Sequence, residues 1–345
     1  MRFILSLSIL IFSISLSFAT IELSGGIRND GIVLKTTNGY SFYDVLENKL
    51  VFSRKTEEWR FYADLRIYAY YGEMMPVDYS LNLLRAFIRY DSKIGVWTVG
   101  KTYVNFGNPG IFNPFEFFKN LNLNDLSYDK EGILAFIYEY NLSDLSGFKL
   151  YTGPEGGITN SAIGGSLYGN WQNFDGGIVY NRKGFSTNLV GVYIKGDIEI
   201  GINISYAYHF DDYFENRFSE GCAGIDYSFF EGKLFTALTY YYDEKGAEKT
   251  NDYKAYGFED VYFTAKHYLY GNILYTYDEF LSFQLNAFYN LIDFSSVIMP
   301  SVKYTLSDGL DLTLLFSFVT GKDGEEFSRD ALGEFGVLLR LEAKL

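Results

Sequence analysis

The chain predicts an all-β fold, a transmembrane antiparallel up-and-down β-barrel of about 18 strands. Three observations carry this expectation: an export signal at the N-terminus, long segments of period-two alternation, and turn signals at strand-sized intervals.

The export signal comes first. Arg2 supplies a positive start, Phe3 to Phe18 is apolar with interspersed serines, and Ser17-Phe18-Ala19 is a small-x-small cleavage site. The apolar stretch is shorter than the roughly 20 residues of a spanning helix, so it reads as a removed leader. Residues 1–19 are thus expected to be a signal peptide, and 20–345 a single barrel domain. The only cysteine is Cys222, far from the cleavage site, so neither lipid attachment there nor an internal disulfide framework is expected.

The 345 residues include 32 Tyr, 32 Phe and 34 Gly but only 5 Pro, an aromatic content well above ordinary globular usage. Mean hydropathy is nevertheless −0.04, and no long apolar run follows the leader. A barrel hides its apolar content in every second residue, whereas a helical membrane protein shows it in runs. The net charge of −14 argues against nucleic acid or an anionic lipid surface as partner.

Between Trp59 and Tyr71 the alternation is nearly perfect. Trp59, Phe61, Ala63, Leu65, Ile67, Ala69 and Tyr71 share one face; Arg60, Tyr62, Asp64, Arg66, Tyr68 and Tyr70 share the other. Its length suits a tilted membrane strand of about 9–11 residues better than the usual soluble strand. The pattern recurs at 83–91, where Leu84, Ala86, Ile88 and Tyr90 oppose Leu83, Arg85, Phe87, Arg89 and Asp91. It recurs again at 200–209, at 282–290 and at 335–345, while 185–195 and 259–277 alternate less cleanly. A first strand at Ile21–Arg28 is expected to pair with the last, because a spanning barrel leaves no open edge. Its inward parity (Glu22, Ser24, Gly26, Arg28) would then face Arg340, Glu342 and Lys344.

Short turn signals lie at 56–58, 92–93, 171–173, 195–197, 231–233, 277–279 and 307–309. Longer connections are expected at 29–47, 72–78, 103–130, 153–159, 211–219, 243–258 and 320–331. Short and long therefore tend to alternate, as tight periplasmic turns and longer extracellular loops do. The count is about 18 strands if 259–277 is one long strand, and 16 if other segments are divided differently. Both termini then fall on the periplasmic side.

The connection at 103–130 is longer than most structureless loops. It contains Asn113-Pro114-Phe115-Glu116, a capping-box type of helix start that Phe117 to Asn120 would extend. With Phe106, Ile111, Phe112, Phe115, Phe117 and Phe118 it is too apolar to stand in solvent, and the barrel interior or rim is the available surface.

Gly100-Lys101, Phe106-Gly107 and Phe112-Asn113-Pro114 with Glu116 resemble a GK … FG … NP-x-E pattern. That pattern marks a group of Gram-negative outer-membrane porin-like barrels loosely related to alginate-export channels. The motif covers about 17 residues. This chain departs from the group with Phe106 in place of Trp and with Leu345 in place of a final Phe. The resemblance to porins implies that 103–130 folds inward as a constriction.

On that basis the pore-lining candidates are Arg60, Tyr62, Asp64, Arg66, Arg85 and Arg89, with Asp91 of the same parity. The constriction candidates are Phe112, Asn113, Pro114, Glu116, Asp125 and Asp129, with Glu131 beside them. Arginines facing loop carboxylates across a narrow gap would set up a transverse field. Alternatively, the arginines pair with Asp64 and neighbouring acids within the wall.

Tyrosine clusters at 68–71, 240–242 and 268–270 read as membrane-interface belts. A sugar slide over Tyr62, Tyr68 and Phe87 is the sharper alternative. Neither of the two histidines, His209 and His267, lies beside an obvious serine and carboxylate pair, Asp211-Asp212 after His209 being the nearest approach, so no enzymatic activity is expected. Acidic loops at 122–131, 211–215 and 322–330 lack regular metal-ligand spacing, and no metal or cofactor is expected. The expected function is passive diffusion of small hydrophilic solutes or ions through an outer-membrane channel. A sugar-selective channel, or a surface-binding scaffold with an occluded pore, are the alternatives. Partners would be outer-membrane lipids, lipopolysaccharide, the solutes and the barrel-assembly machinery, with a homotrimer suggested by analogy to porins.

Overall fold

The computed structural model describes residues 21–36, 39–72, 75–107, 111–115, 131–153, 161–184, 187–253 and 263–344. The expected leader at 1–19 lies outside the described residues. Eighteen strands follow one another: β1 (Glu22–Thr36), β2 (Gly39–Lys55), β3 (Trp59–Gly72), β4 (Met75–Ser92), β5 (Gly95–Thr102) and β6 (Ile133–Ser143). Next come β7 (Ser146–Gly153), β8 (Ala162–Trp171), β9 (Phe174–Lys183), β10 (Thr187–Asp197), β11 (Gly201–Phe210) and β12 (Arg217–Phe229). The last six are β13 (Leu234–Asp243), β14 (His267–Thr276), β15 (Leu281–Asn290), β16 (Ser296–Ser307), β17 (Leu310–Val319) and β18 (Phe335–Lys344).

Each strand pairs with its neighbours in sequence, and β1 closes antiparallel on β18. The fold is therefore a closed up-and-down barrel, in which every strand edge finds a partner. At the closing seam Arg28 lies opposite Glu342 and Asp30 opposite Arg340, so opposite charges do face each other there.

Two of the expected long connections are not loops. β1 and β2 continue to Thr36 and from Gly39, leaving two residues between them where 29–47 reads as a loop. Likewise β3 and β4 are separated by two residues within 72–78. The polar residues that suggest a loop are strand residues with partners. Asp30 pairs with Arg340, and the Asn29 amide donates to Asp44 Oδ1 at 2.8 Å. The expected long strand at 259–277 is also shorter, since β14 begins only at His267. The strand count among the described residues still comes to eighteen.

β1 to β4 hold 15, 17, 14 and 18 residues, well beyond the roughly 9–11 needed to cross a bilayer. They build a tall wall on one side of the barrel. In β4 the alternation breaks: pairing with β3 slips between Arg85 and Leu83, and Leu84 is the extra residue of a bulge. Leu84 is 1% exposed, so it does not share the outward face of Ala86 and Ile88 as strict parity requires.

The outward face carries exposed Leu81, Val99, Leu134, Ile163, Ile178, Ile204, Ile225 and Leu339. Such a band around the whole circumference is solvated by lipid rather than water. Inside, two apolar clusters fill part of the barrel. One gathers Phe106, Phe115, Ile137, Tyr151, Val179 and Leu189; the other gathers Phe112, Tyr241, Tyr268, Phe288 and Met299. Tyr241 and Tyr268 are thus buried interior residues rather than members of an interface belt.

Candidate functional site

A ribbon of seven charged side chains crosses the inner face of β18, β1, β2, β3 and β4. Arg340 grips Asp30 with Nε at 2.8 Å and Nη2 at 2.9 Å. Arg28 bridges Asp30 at 3.2 Å and Glu47 at 2.9 Å. Arg66 also pairs with Glu47, and its Nε donates to Asp64 Oδ1 at 2.9 Å. Arg85 completes the row, donating to Asp64 Oδ2 at 3.2 Å and to the Tyr62 hydroxyl at 3.0 Å. Its guanidinium also lies 4.8 Å from the Tyr62 ring centre and 4.9 Å from that of Tyr103.

The register explains the assembly. Arg28 stands directly opposite Glu47, Asp30 opposite Arg340, and Asp64 opposite Arg85, all on the inward face. Alternating sign along the row lets each buried carboxylate bind two guanidiniums, which is the condition for holding charge out of water at tolerable cost. Asp64, Glu47 and Arg66 are all below 5% exposed.

Among the arginine candidates, Arg66 and Arg85 lie in this ribbon, bound to carboxylates of the wall itself. Arg60 and Arg89 do not. They stand opposite each other near the short-turn end, where Arg60 is exposed and Arg89 pairs with Asp91 at 3.0 Å. Tyr62 stacks on Phe87 with ring centres 5.3 Å apart. Arg28, Asp30, Glu47 and Arg340 are members that the candidate set lacked. Parity on the first and last strands already turned Arg28 and Arg340 inward, whereas Asp30 and Glu47 were hidden by reading 29–47 as a loop.

The connection after β5 enters the barrel. Phe106 packs on Tyr151 with centres 5.3 Å apart, and Phe115 packs on Tyr193 at 6.1 Å. Phe112 stacks on Tyr241 at 4.5 Å and meets Phe288 edge-on at 6.2 Å. Gly107 takes φ of 74°, which turns the chain beside Phe115, and Gly191 leaves the space that the Phe115 ring occupies. Polar bonds fix the same segment: the Asn181 amide donates to the Phe115 carbonyl at 3.2 Å. The Asn113 side-chain oxygen accepts the Phe115 N–H at 3.1 Å, the bond expected of a helix cap, with Pro114 between them. Glu116, Asp125, Asp129 and the helix extension at 117–120 lie outside the described residues. Glu131, where the chain returns, is paired with Lys101.

The described part of the loop therefore lies against β7 to β15, while the charged ribbon occupies β18 to β4. At the mouth with the longer loops, Asp211 organises residues 211–216. Burial acts to raise its carboxyl, but bonds from the Asn216 side chain and the amides of Asn216, Glu215 and Tyr213 outweigh that and hold it below the usual range. His209 stacks on Phe218 at 4.2 Å, and the nearby Asp212 is held by Arg182 at 2.9 Å.

No family model and no curated protein matches this sequence. The fold is nevertheless that of solved barrels. OccK7 (OpdD) of Pseudomonas aeruginosa superimposes with a TM-score of 0.63 at 11% identity, covering 95% of this chain and 99% of that one. OccK3 (OpdO) of the same organism gives 0.62 at 9% identity, over 94% and 96% of the two chains. OccAB4 of Acinetobacter baumannii gives 0.60 at 10% identity, over 95% and 98%. At such identities the likeness is one of fold: the 18-stranded OprD/Occ porin fold.

Proposed function

We infer that this protein is an outer-membrane channel through which small hydrophilic solutes or ions diffuse, and that their path runs along the charged ribbon. The observation that carries this reading is the opposition of the two inner surfaces. Aromatic side chains of the inward loop are spent on the β7–β15 wall, and the wall facing them is polar and charged. A lumen lined on one side by hydrogen-bonding groups favours hydrated solutes over apolar ones. The porin fold supports the same reading. The channel catalyses no reaction in this account.

The leader directs export and is cleaved after Ala19, and the barrel-assembly machinery inserts the mature chain. The segment from Gly100 to Glu116 aligns the chain with porin-like barrels of the alginate-export type. The 103–130 loop narrows the pore, with Glu116, Asp125 and Asp129 as its acidic members, and lipopolysaccharide surrounds the mouth. A homotrimer is the proposed assembly.

Osmotic swelling of liposomes carrying the refolded protein tests the channel. Swelling in small sugars and amino acids should exceed that of empty liposomes and fall as solute size increases. Swelling equal to that of empty liposomes would favour the occluded scaffold instead.

A further inference from the structure

Towards the short-turn end of the β8–β10 wall, next to the inward loop, lies a cavity of about 320 Å³. It is lined by Gly107 of the loop, Leu145 of the β6–β7 turn, and Tyr168, Tyr193, Asp175 and Lys195 of the wall. That volume is at the lower end of the range of small-ligand sites.

The two tyrosines lie flat against the wall because glycines make room for them. A Cβ at Gly177 would fall 2.7 Å from Tyr193 Cε1, and one at Gly147 would fall 2.9 Å from Tyr168 Cζ. Ring faces rather than edges are therefore turned to the lumen. The Tyr168 hydroxyl donates to Asn141 Oδ1 at 3.1 Å, and Tyr193 is held by Phe115 of the loop, with ring centres 6.1 Å apart. Both rings are half-buried, which leaves part of each face open.

Beside the rings, Asp175 and Lys195 stand directly opposite each other on β9 and β10, and both are exposed. Asp175 accepts from the Asn170 side chain through Oδ1 at 2.9 Å. Among the described residues its other oxygen and the Lys195 ammonium have no hydrogen-bond or ion-pair partner. One acceptor and one donor thus reach the same cavity. Opposite charges side by side leave little net field to hold an ion, yet each binds a hydroxyl more strongly than a neutral group does.

We propose that this cavity binds one uncharged pyranose ring. The C–H face of the sugar lies on the two tyrosine rings, Lys195 donates to hydroxyl oxygens, and Asp175 accepts from hydroxyl hydrogens. A pyranose has an apolar face edged by groups that both donate and accept, and the lining is its complement: aromatic faces beside one donor and one acceptor. Tyr62, Tyr68 and Phe87, the sugar slide that the sequence suggests, stand on the other wall, where Tyr68 is buried. The proposal names a solute class for the channel and rests on that reading for passage, but filling the cavity does not require conduction.

The test is saturation-transfer NMR on the full-chain barrel in lipid nanodiscs, with empty nanodiscs as the blank. The probes are the methyl glycosides of glucose, galactose and mannose, and at least one should receive transfer to its ring protons. Glucuronate and glucosamine, each carrying one charge, should receive less. Asp175→Ala and Lys195→Ala each remove one charge-assisted bond and should weaken binding about tenfold. Tyr168→Leu removes half of the aromatic platform and should also weaken it, and heat-modifiable gel mobility verifies that each variant is folded. No transfer above the blank, or unchanged transfer in a folded variant, overturns the cavity as the site. Equal transfer to the two charged sugars overturns the preference for an uncharged ring. Binding without sugar-driven swelling in the liposome assay would remove the channel reading and leave this site standing; swelling without binding would do the reverse.

Discussion

Asp64 sits one place from the Arg85 end of the ribbon with no exposed surface, bound by Arg66 on its own strand and by Arg85 on the next. Removing its charge leaves two guanidiniums facing an amide, and breaking a buried pair by deleting one partner typically costs about 3–5 kcal/mol. Asp64→Asn should therefore lower the midpoint of guanidinium unfolding of the refolded barrel by an amount corresponding to about 3 kcal/mol. An unchanged midpoint would mean that water in the lumen solvates these arginines and that the ribbon does not stabilise the wall. Asp64, Arg66 and Arg85 were legible from inward parity alone, because one clean alternation assigns a face. The arginines' pairing with Asp64 was one of two readings left open, because opposition between strands depends on register, and the bulge at Leu84 shifts it by one residue.

At the scale of elements, the loop after β5 is held by aromatic contacts at two places on the barrel wall. Phe112 is surrounded by Tyr241, Phe263, Tyr270 and Phe288, and truncating such a buried phenylalanine costs about 3–5 kcal/mol. With that anchor removed, Phe112→Ala should let the loop swing across the lumen, giving noisier single-channel current with a lower mean. A steady current equal to that of the unaltered protein would show that Phe106 and Phe115 hold the loop by themselves. The existence of an inward loop was readable from six apolar side chains in a connection too long to be idle. Its destination was not readable, since any inner wall bearing tyrosines would serve equally. The β1–β2 hairpin was obscured for the opposite reason. Asn29, Asp30 and Asp44 have loop-like polarity, and only their strand neighbours account for it.

For the whole molecule, closure joins the two ends of the chain through the same residues that begin the ribbon. The Arg340–Asp30 pair is at once part of the β1–β18 seam and part of the inner lining. Barrel, membrane-facing band and strand number near 18 followed from alternation and turn spacing, which are local properties of the chain. The asymmetry of the barrel's interior is a property of the assembled ring: charge on β18 to β4 and aromatic packing on β7 to β15. The central claim is that solutes pass along that charged side. Its most direct test is the reversal potential of single channels in a salt gradient, compared between the unaltered protein and Arg85→Gln. Arg85 is the partly exposed end of the ribbon, and its removal leaves Asp64 paired with Arg66. The account predicts a shift towards cation preference, whereas an unchanged reversal potential would place the conducting path away from the ribbon.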